Sequence, residues 1–159
     1  MCSVTANVNR TRRWVLIGGG AAIAAGFAIR EYRLIPPDYT GGQITVAEAH
    51  NQASKGEILL IDIRTPREWA ATGIGEGAYP VDMRREDFEQ VLDQLSDGDR
   101  NTKIALICAR GVRSARMSNR LTEAGFTNII DVPEGMLGSG AGPGWVRAGL
   151  PLEAYKEET

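Results

Sequence analysis

The stretch KIALICARGVRS, residues 103–114, decides the fold and fixes where a site would lie. Its first half is an apolar run that is typical of a strand buried on both faces of a sheet. Its second half places Cys108 in a short turn, and a segment with helical periodicity follows. This order puts the thiol at the carboxyl end of a strand, where α/β sheets bind their ligands.

The turn after Cys108 is suited to binding an anion. Backbone N–H groups at the start of a helix point toward a bound anion, and Arg110 and Arg113 add two positive charges. The N–H groups, the helix dipole and the guanidinium groups should together favour the thiolate of Cys108, which is a nucleophile. The alternative is an inert cysteine buried at the end of a core strand.

The loop CARGVRS, residues 108–114, resembles the active-site loop of single-domain rhodaneses, the thiosulfate sulfurtransferase family. Cysteine phosphatases have one more residue between Cys and Arg, so this shorter loop suits a persulfide and a small sulfur anion better than a phosphoryl group. The resemblance covers about residues 44–153. It includes Asp62–Trp69, which is similar to the family's Asp-x-Arg strand end followed by Glu and an aromatic residue.

The resemblance implies a reaction and a set of site residues. Cys108 would take the outer sulfur of a donor such as thiosulfate and pass it to a thiol or to cyanide. Arg113 would close the loop and hydrogen-bond its carbonyl groups, and Arg110 would contact the donor. Asp62 and Arg64 would brace the loop. Arg64 and Glu68 are one helical turn apart and are expected to pair. The backbone predicted to hold the sulfur anion belongs to Ala109, Arg110, Gly111, Val112, Arg113 and Ser114.

The same sequence features are compatible with other functions. A persulfide carrier or a sulfur-sensing or redox-sensing module would use the same residues. A phosphatase or arsenate reductase is disfavoured by the loop length, and a non-catalytic interaction domain by the retained cysteine.

His50 is the one histidine and hence the one candidate base for a Cys-His hydrolase. Two cysteines and one histidine do not make a zinc cluster, and no metal or cofactor is expected. The net charge of −2 disfavours nucleic-acid binding.

Strand and helix patterns alternate along the chain. Residues 44–155 are therefore predicted to form an α/β sandwich with a parallel central sheet and helices on both faces. The resemblance implies that this is the three-layer sandwich of rhodanese-like domains. The sequence departs from the family at Thr72–Gly75, where a Gly-His-Ile run is usual. It departs again at Gly138–Gly144, which is expected to be a flexible loop that either shapes access for an acceptor or only connects elements. The predicted strands are 57–63, 79–82, 103–107 and 128–132, and the clearest predicted helices are 85–95 and 114–124.

The first thirty residues are predicted to be an export signal or an N-terminal membrane anchor. Arg12 and Arg13 precede the uncharged run 14–29, and together they resemble a twin-arginine signal. The domain would then be periplasmic, either soluble after cleavage or held at the inner membrane by residues 14–29. The alternative is a core helix of a cytosolic protein. Residues 31–43 are predicted to be a linker. Cys2 lies beyond this segment, so the exported domain would carry Cys108 as a single thiol in an oxidising compartment.

Overall fold

The computed structural model describes residues 35–156, in which five parallel strands form the central sheet in the order β1-β6-β5-β2-β4. A two-stranded antiparallel ribbon of β3 and β7 lies apart from it. The strands are β1 (Gly42–Gln43), β2 (Leu59–Asp62), β3 (Ile74–Gly75), β4 (Ala78–Pro80), β5 (Ile104–Ile107), β6 (Ile129–Asp131) and β7 (Leu152–Glu153). The helices are α1 (Val46–Ser54), α2 (Pro66–Thr72), α3 (Phe88–Leu95), α4 (Val112–Glu123) and α5 (Gly144–Arg147).

The sheet is covered on both faces, and its middle strand β5 is apolar at every position. In β5, Ile104 and Leu106 pack on one face against α3 and α4, while Ala105 and Ile107 pack on the other against α1 and α5. All four residues are fully buried. This is the pattern expected of parallel strands between two helical layers, and the predicted three-layer α/β architecture is confirmed.

Two short pairings were not expected from the sequence. Gly42 and Gln43, predicted as the end of a linker, form the edge strand β1 and pair with β6. Ile74 and Gly75, predicted as part of a glycine-rich loop, pair with β7. Each strand is only two residues long, so neither shows the alternating pattern from which a strand is recognised.

Two helices begin at other residues than predicted. Helix α3 begins at Phe88 rather than Arg85, because the Arg85 N–H donates to the Asp82 carbonyl and closes a turn over residues 82–85, ahead of the helix. Helix α4 begins at Val112 rather than Ser114, directly after Gly111, whose φ of +82° ends the preceding turn. The Cys108 loop is therefore shorter and tighter than the sequence suggested.

The predicted export segment, residues 1–30, and residues 31–34 of the predicted linker lie outside the described residues. Among residues 35–156, no helix has the length and apolar character needed to cross a membrane.

Candidate active site

Cys108 lies at the carboxyl end of β5, the middle strand of the sheet, and only 1% of it is exposed. The neighbouring strands both end in buried carboxylates. Asp62 ends β2 and Asp131 ends β6, and both are at most 1% exposed. The thiol is thus placed where parallel sheets bind ligands, between two acidic side chains that are shielded from water.

The loop that follows Cys108 wraps around its sulfur. The Gly111 N–H donates to Cys108 Sγ at 3.2 Å, and the thiol lies 3.6 Å from the Ser114 hydroxyl oxygen, to which it donates. Within residues 35–156, the N–H groups of Arg110, Val112 and Arg113 donate to no protein acceptor. Such N–H groups at the start of a helix form a concave site for an anion.

A second turn, residues 133–137, presses on this loop and fixes its shape. The N–H groups of Met136 and Leu137 donate to the carbonyl groups of Cys108 and Ala109 at 2.8 and 2.9 Å. The approach requires glycine on both sides. A Cβ on Gly111 would lie 2.2 Å from the Pro133 carbonyl oxygen, and one on Gly135 would lie 2.7 Å from the Ala109 backbone.

Gly135→Ala should therefore destabilise the protein by at least about 2 kcal/mol, because it combines a positive φ of +68° with a backbone clash. Gly140→Ala is the matched control, since a Cβ there would meet nothing within 4 Å; it should change the free energy of unfolding by less than ~0.5 kcal/mol. Urea unfolding of both variants checks this. Equal stabilities for the two would contradict the packing described.

Arg113 holds α4 to α2 through Glu68. The prediction that it hydrogen-bonds the carbonyl groups of the Cys108 loop is wrong: within residues 35–156 no such bond is present, because its terminal nitrogens bind the Glu68 carboxylate. Its two terminal nitrogens donate to the Glu68 carboxylate, Nη1 to Oε2 at 2.9 Å and Nη2 to Oε1 at 2.5 Å. This pairing, with the Thr65 hydrogen bonds, lowers the pKa of Glu68 to about 2 despite its partial burial. The pKa of Arg113 is raised by Glu68 and, to a smaller extent, by Cys108. The guanidinium therefore interacts both with the carboxylate that fixes it and with Cys108.

The pair should contribute to stability in a pH-dependent way. Because the folded pKa of Glu68 is below its ordinary value of 4.5, the contribution is complete above about pH 4.5 and is lost as the pH falls toward 2. We expect Glu68→Gln to lose less stability than the wild type between pH 6 and pH 3 in urea titrations. Glu57→Gln, at an exposed carboxylate, should behave as the wild type does. Parallel losses for Glu68→Gln and the wild type would refute this role.

Arg64 does not pair with the Glu68 carboxylate, so that prediction is wrong. Arg64 is buried and donates to Asp62 from Nε and, at 2.6 Å, from Nη2. It also donates to the Thr72 hydroxyl at 2.6 Å and to the Gly73 carbonyl at 2.7 Å. Side-chain direction explains the difference: Arg64 precedes α2 and turns back along β2, while Glu68 faces α4. Arg64 thereby joins the end of β2 to the end of α2.

The other predicted residues differ in how they relate to the sulfur. Gly111 and Ser114 contact it and Arg113 interacts with it, whereas the Arg110 side chain is exposed. Ala109 and Val112 are partly buried and enter the site through their backbone. His50 instead lies on α1, where its Nε2 is 2.9 Å from Glu76 and its ring packs edge-on against Trp145.

The glycine-rich segment Gly138–Gly144, expected to be flexible, is a closed turn. Ser139 and Gly142 exchange backbone hydrogen bonds, although the Gly142 N–H bond is long at 3.4 Å. Glu134 is buried and accepts from the N–H groups of Gly144 and of Val46, the first residue of α1. The segment is therefore tied at both ends, and the signal that sequence reasoning missed is the acidic residue just before the glycines.

Two further features of the site were not anticipated. Asp82 and Arg84 repeat at the end of β4 the Asp-x-Arg geometry of Asp62 and Arg64, with Nη2 to Oδ2 again at 2.6 Å. The repeated triplet in the sequence was a signal that could have revealed the pair. Asp131 was predicted only as part of a strand, because a single acidic residue at a strand end looks like a solvated tip.

Comparison with known proteins agrees with the fold and the loop. The family model of the rhodanese-like domain matches residues 45–139, which include the Cys108 loop. Polysulfide-sulfur transferase from Wolinella succinogenes covers 87% of this chain and 91% of its own, with a TM-score of 0.56 and 23% identity, a level that shows the shared fold. A rhodanese-like domain protein from Staphylococcus aureus is 27% identical, with a TM-score of 0.50, over 70% of this chain and 98% of its own.

Among curated proteins, the tRNA uridine(34) hydroxylase of Acinetobacter baylyi is 27% identical over 105 residues. The match covers 64% of this chain but only 32% of the hydroxylase, so the two proteins share one domain. The family model, by contrast, spans more than half of the chain, and the computed structure has the corresponding fold. The chain belongs to the rhodanese-like domain family.

Proposed function

We propose that this protein is a sulfurtransferase that carries a sulfane sulfur on Cys108. The observation that supports the proposal best is the loop at Cys108, in which the Gly111 N–H donates to Sγ and the N–H groups of Arg110, Val112 and Arg113 have no acceptor within residues 35–156. A persulfide places its negative charge on the outer sulfur, one bond further into the same concave site. Preorganised donors of this kind stabilise charge that develops during a reaction without any reorganisation.

The transfer proceeds by two displacements. The Cys108 thiolate attacks the outer sulfur of a donor such as thiosulfate; the new S–S bond forms as the old one breaks, and sulfite leaves with the electron pair. A thiol or cyanide then attacks the outer sulfur of the persulfide and releases the thiolate. Arg113, fixed by Glu68, balances negative charge through both steps. Removing a single such donor in other enzymes costs about 3–4 kcal/mol of barrier.

The proposal does not extend to the hydroxylation that names the matched tRNA enzymes. This chain spans about a third of their length, and the shared part is the rhodanese-like domain. A small sulfur anion as donor follows from the size of the loop and from the exposed Arg110 at its rim.

The test is a steady-state assay of the full 159-residue chain with thiosulfate and cyanide, in which thiocyanate is measured. Aryl phosphate and arsenate are assayed beside them. Thiocyanate production with no phosphate release or arsenate reduction supports a sulfurtransferase. Turnover of phosphate or arsenate without thiocyanate would replace the proposal by one of the alternatives that use the same thiol.

Arg110→Ala should lower kcat/KM for thiosulfate by about tenfold, because one guanidinium contact to a dianion is lost at a partly hydrated site. Stability should not change, since the side chain is exposed. Lys55→Ala removes one exposed positive charge at the end of α1 and should leave kcat/KM unchanged. Equal effects of the two substitutions would show that only the net charge of the protein attracts the donor.

One observation favours a second candidate, a persulfide carrier with little turnover. Cys108 is 1% exposed, which restricts the approach of an acceptor to its sulfur. A carrier would add one sulfur to Cys108 from thiosulfate and would release it slowly to cyanide and to small thiols.

We also propose that residues 1–30 direct the domain to the periplasm or hold it at the inner membrane. The support is the Arg12-Arg13 pair before the uncharged run 14–29. Cell fractionation of the chain with a C-terminal tag tests it, beside a variant carrying Arg12→Lys and Arg13→Lys. A cytoplasmic location for the native sequence would overturn the proposal.

A further inference from the structure

Of the two buried carboxylates beside Cys108, only one has a cation. Asp62 is held by Arg64 through three side-chain hydrogen bonds and one from the Arg64 backbone N–H. Asp131 has no salt bridge within residues 35–156, and its Oδ1 has no hydrogen-bond partner there. A buried carboxylate that has neither a salt bridge nor a hydrogen bond to this oxygen is costly to ionise. Its presence next to a reactive sulfur therefore requires an explanation.

Asp131 lies on the same face of the sheet as the Cys108 sulfur. It pairs in register with Leu106 of β5, and side chains in register on adjacent strands point to the same face. Leu106 and Cys108 are two residues apart and share the face covered by α4. Asp62 pairs with Ile107 and therefore belongs to the opposite face.

Ser114 is fully buried in the first turn of α4, the helix that packs on β6. Its hydroxyl oxygen accepts from the Cys108 thiol at 3.6 Å. Its side chain also lowers the pKa of Asp131, although no hydrogen bond joins Ser114 and Asp131 in this arrangement. Its single hydroxyl hydrogen goes to the Gly111 carbonyl at 3.0 Å. That carbonyl also accepts from the Ala115 N–H at 3.1 Å, so it keeps a partner if the Ser114 hydroxyl rotates away.

We propose that Asp131 is a positioning residue that sets the direction of the Ser114 hydroxyl, and through it the hydrogen bonding of the Cys108 sulfur. The proposal deepens the proposed function, on which its meaning for sulfur transfer rests. Protonated Asp131 donates to Ser114 Oγ, which leaves the Ser114 O–H free to donate to the thiolate. Ionised Asp131 accepts that O–H, so the thiolate loses one donor and meets a second negative charge.

Both states of Asp131 are accessible near neutral pH. Burial raises the pKa of Asp131 to about 6, against smaller opposing effects of Ser114 and the Val132 N–H. Among titratable neighbours, Tyr39, which precedes β1, packs on this face; burial raises the pKa of Tyr39, and Asp131 raises it further. Cys108 faces it from β5. Arg113 of α4 is engaged by Glu68 instead.

The test measures Cys108 itself rather than sulfur transfer. The full chain is alkylated with iodoacetamide between pH 5 and pH 8, and modification of the Cys108 peptide is followed by mass spectrometry. The Asp131→Asn variant mimics the neutral carboxyl group. We expect it to react as fast as the wild type at pH 5 and about five- to tenfold faster at pH 7.5, the effect of one charge-assisted hydrogen bond. Asp38→Asn, at an exposed site, should match the wild type throughout.

Ser114→Ala distinguishes an effect that acts through the Ser114 hydroxyl from direct charge repulsion between Asp131 and the Cys108 thiolate. In that background, the Asp131→Asn effect at pH 7.5 should shrink to about twofold or less. A ratio of Asp131→Asn to wild type that stays constant from pH 5 to pH 8 would overturn the proposal. A pH-dependent ratio that survives Ser114→Ala unchanged would overturn the part assigned to Ser114.

The wild type provides a check that needs no variant of Asp131. Its alkylation rate should rise less steeply than tenfold per pH unit around pH 6, because Asp131 ionises there and disfavours the Cys108 thiolate. A steady tenfold rise per pH unit through pH 6 would contradict the proposal. Sulfur transfer is assayed separately. Absence of transfer with the expected alkylation profile would refute the proposed function and leave the positioning of the thiol standing.

Discussion

Cys108→Ser should abolish sulfur transfer, lowering kcat by at least about a thousandfold. A serine hydroxyl at this position can still accept the Gly111 N–H and contact Ser114, so the loop should keep its shape. An oxygen nucleophile is not ionised at neutral pH and forms no persulfide. The defect should therefore appear in the chemical step, and the unfolding midpoint should change little.

Cys2→Ser is the matched control, because Cys2 is the other cysteine of the chain. It should retain full turnover with thiosulfate and cyanide. The comparison is made by steady-state assay of both purified variants, with circular dichroism to verify that each is folded. Transfer that survives Cys108→Ser, or that is lost in Cys2→Ser, would assign the nucleophile elsewhere.

Arg64→Met should have the largest effect on stability, a loss of about 3–5 kcal/mol, because it leaves the Asp62 carboxylate buried without its cation. It also removes the hydrogen bonds to Thr72 and Gly73 that join α2 to the sheet. Replacing both partners, as in Asp62→Leu with Arg64→Met, should recover part of the loss. Urea unfolding of the two single variants and the double variant checks this.

The control for Arg64→Met is Arg84→Met, in the second Asp-x-Arg pair, which lies at the surface. Arg84 binds Asp82 in the same geometry, but 67% of the Arg84 side chain is exposed to water. Arg84→Met should therefore shift the unfolding midpoint only slightly, since a surface pair is replaced by hydration of the carboxylate. If Arg64→Met were as mild as Arg84→Met, the buried pair would not be what holds the end of β2.

The fold and the position of Cys108 could be predicted because the chain encodes them locally. Continuous apolar runs marked the central strands, and Thr45 and Glu48 marked the start of α1, where the capping box is present. Cys108 directly follows one of these strands, so its place at the edge of the sheet required only that the strand be recognised. The resemblance to the family carried the rest of the prediction.

The partners of the charged residues could not be predicted, because they depend on which elements pack together. Glu68 was expected to pair four residues back along the chain, yet it binds Arg113, 45 residues away. Asp131 shows the same limitation, since nothing local separates a solvated strand end from a carboxylate enclosed beneath α4. The glycine-rich segment was expected to be flexible because its composition does not show that the Gly144 N–H binds the buried side chain of Glu134.

The most direct test of the central claim is to look for the transferred sulfur on Cys108. The full chain is incubated with thiosulfate and no acceptor, digested, and measured by mass spectrometry; cyanide is then added and thiocyanate is quantified. We predict one added sulfur on the Cys108 peptide, and its loss on addition of cyanide with an equal amount of thiocyanate formed. A Cys108 peptide that gains no sulfur, or that keeps it when cyanide is added, would contradict the account.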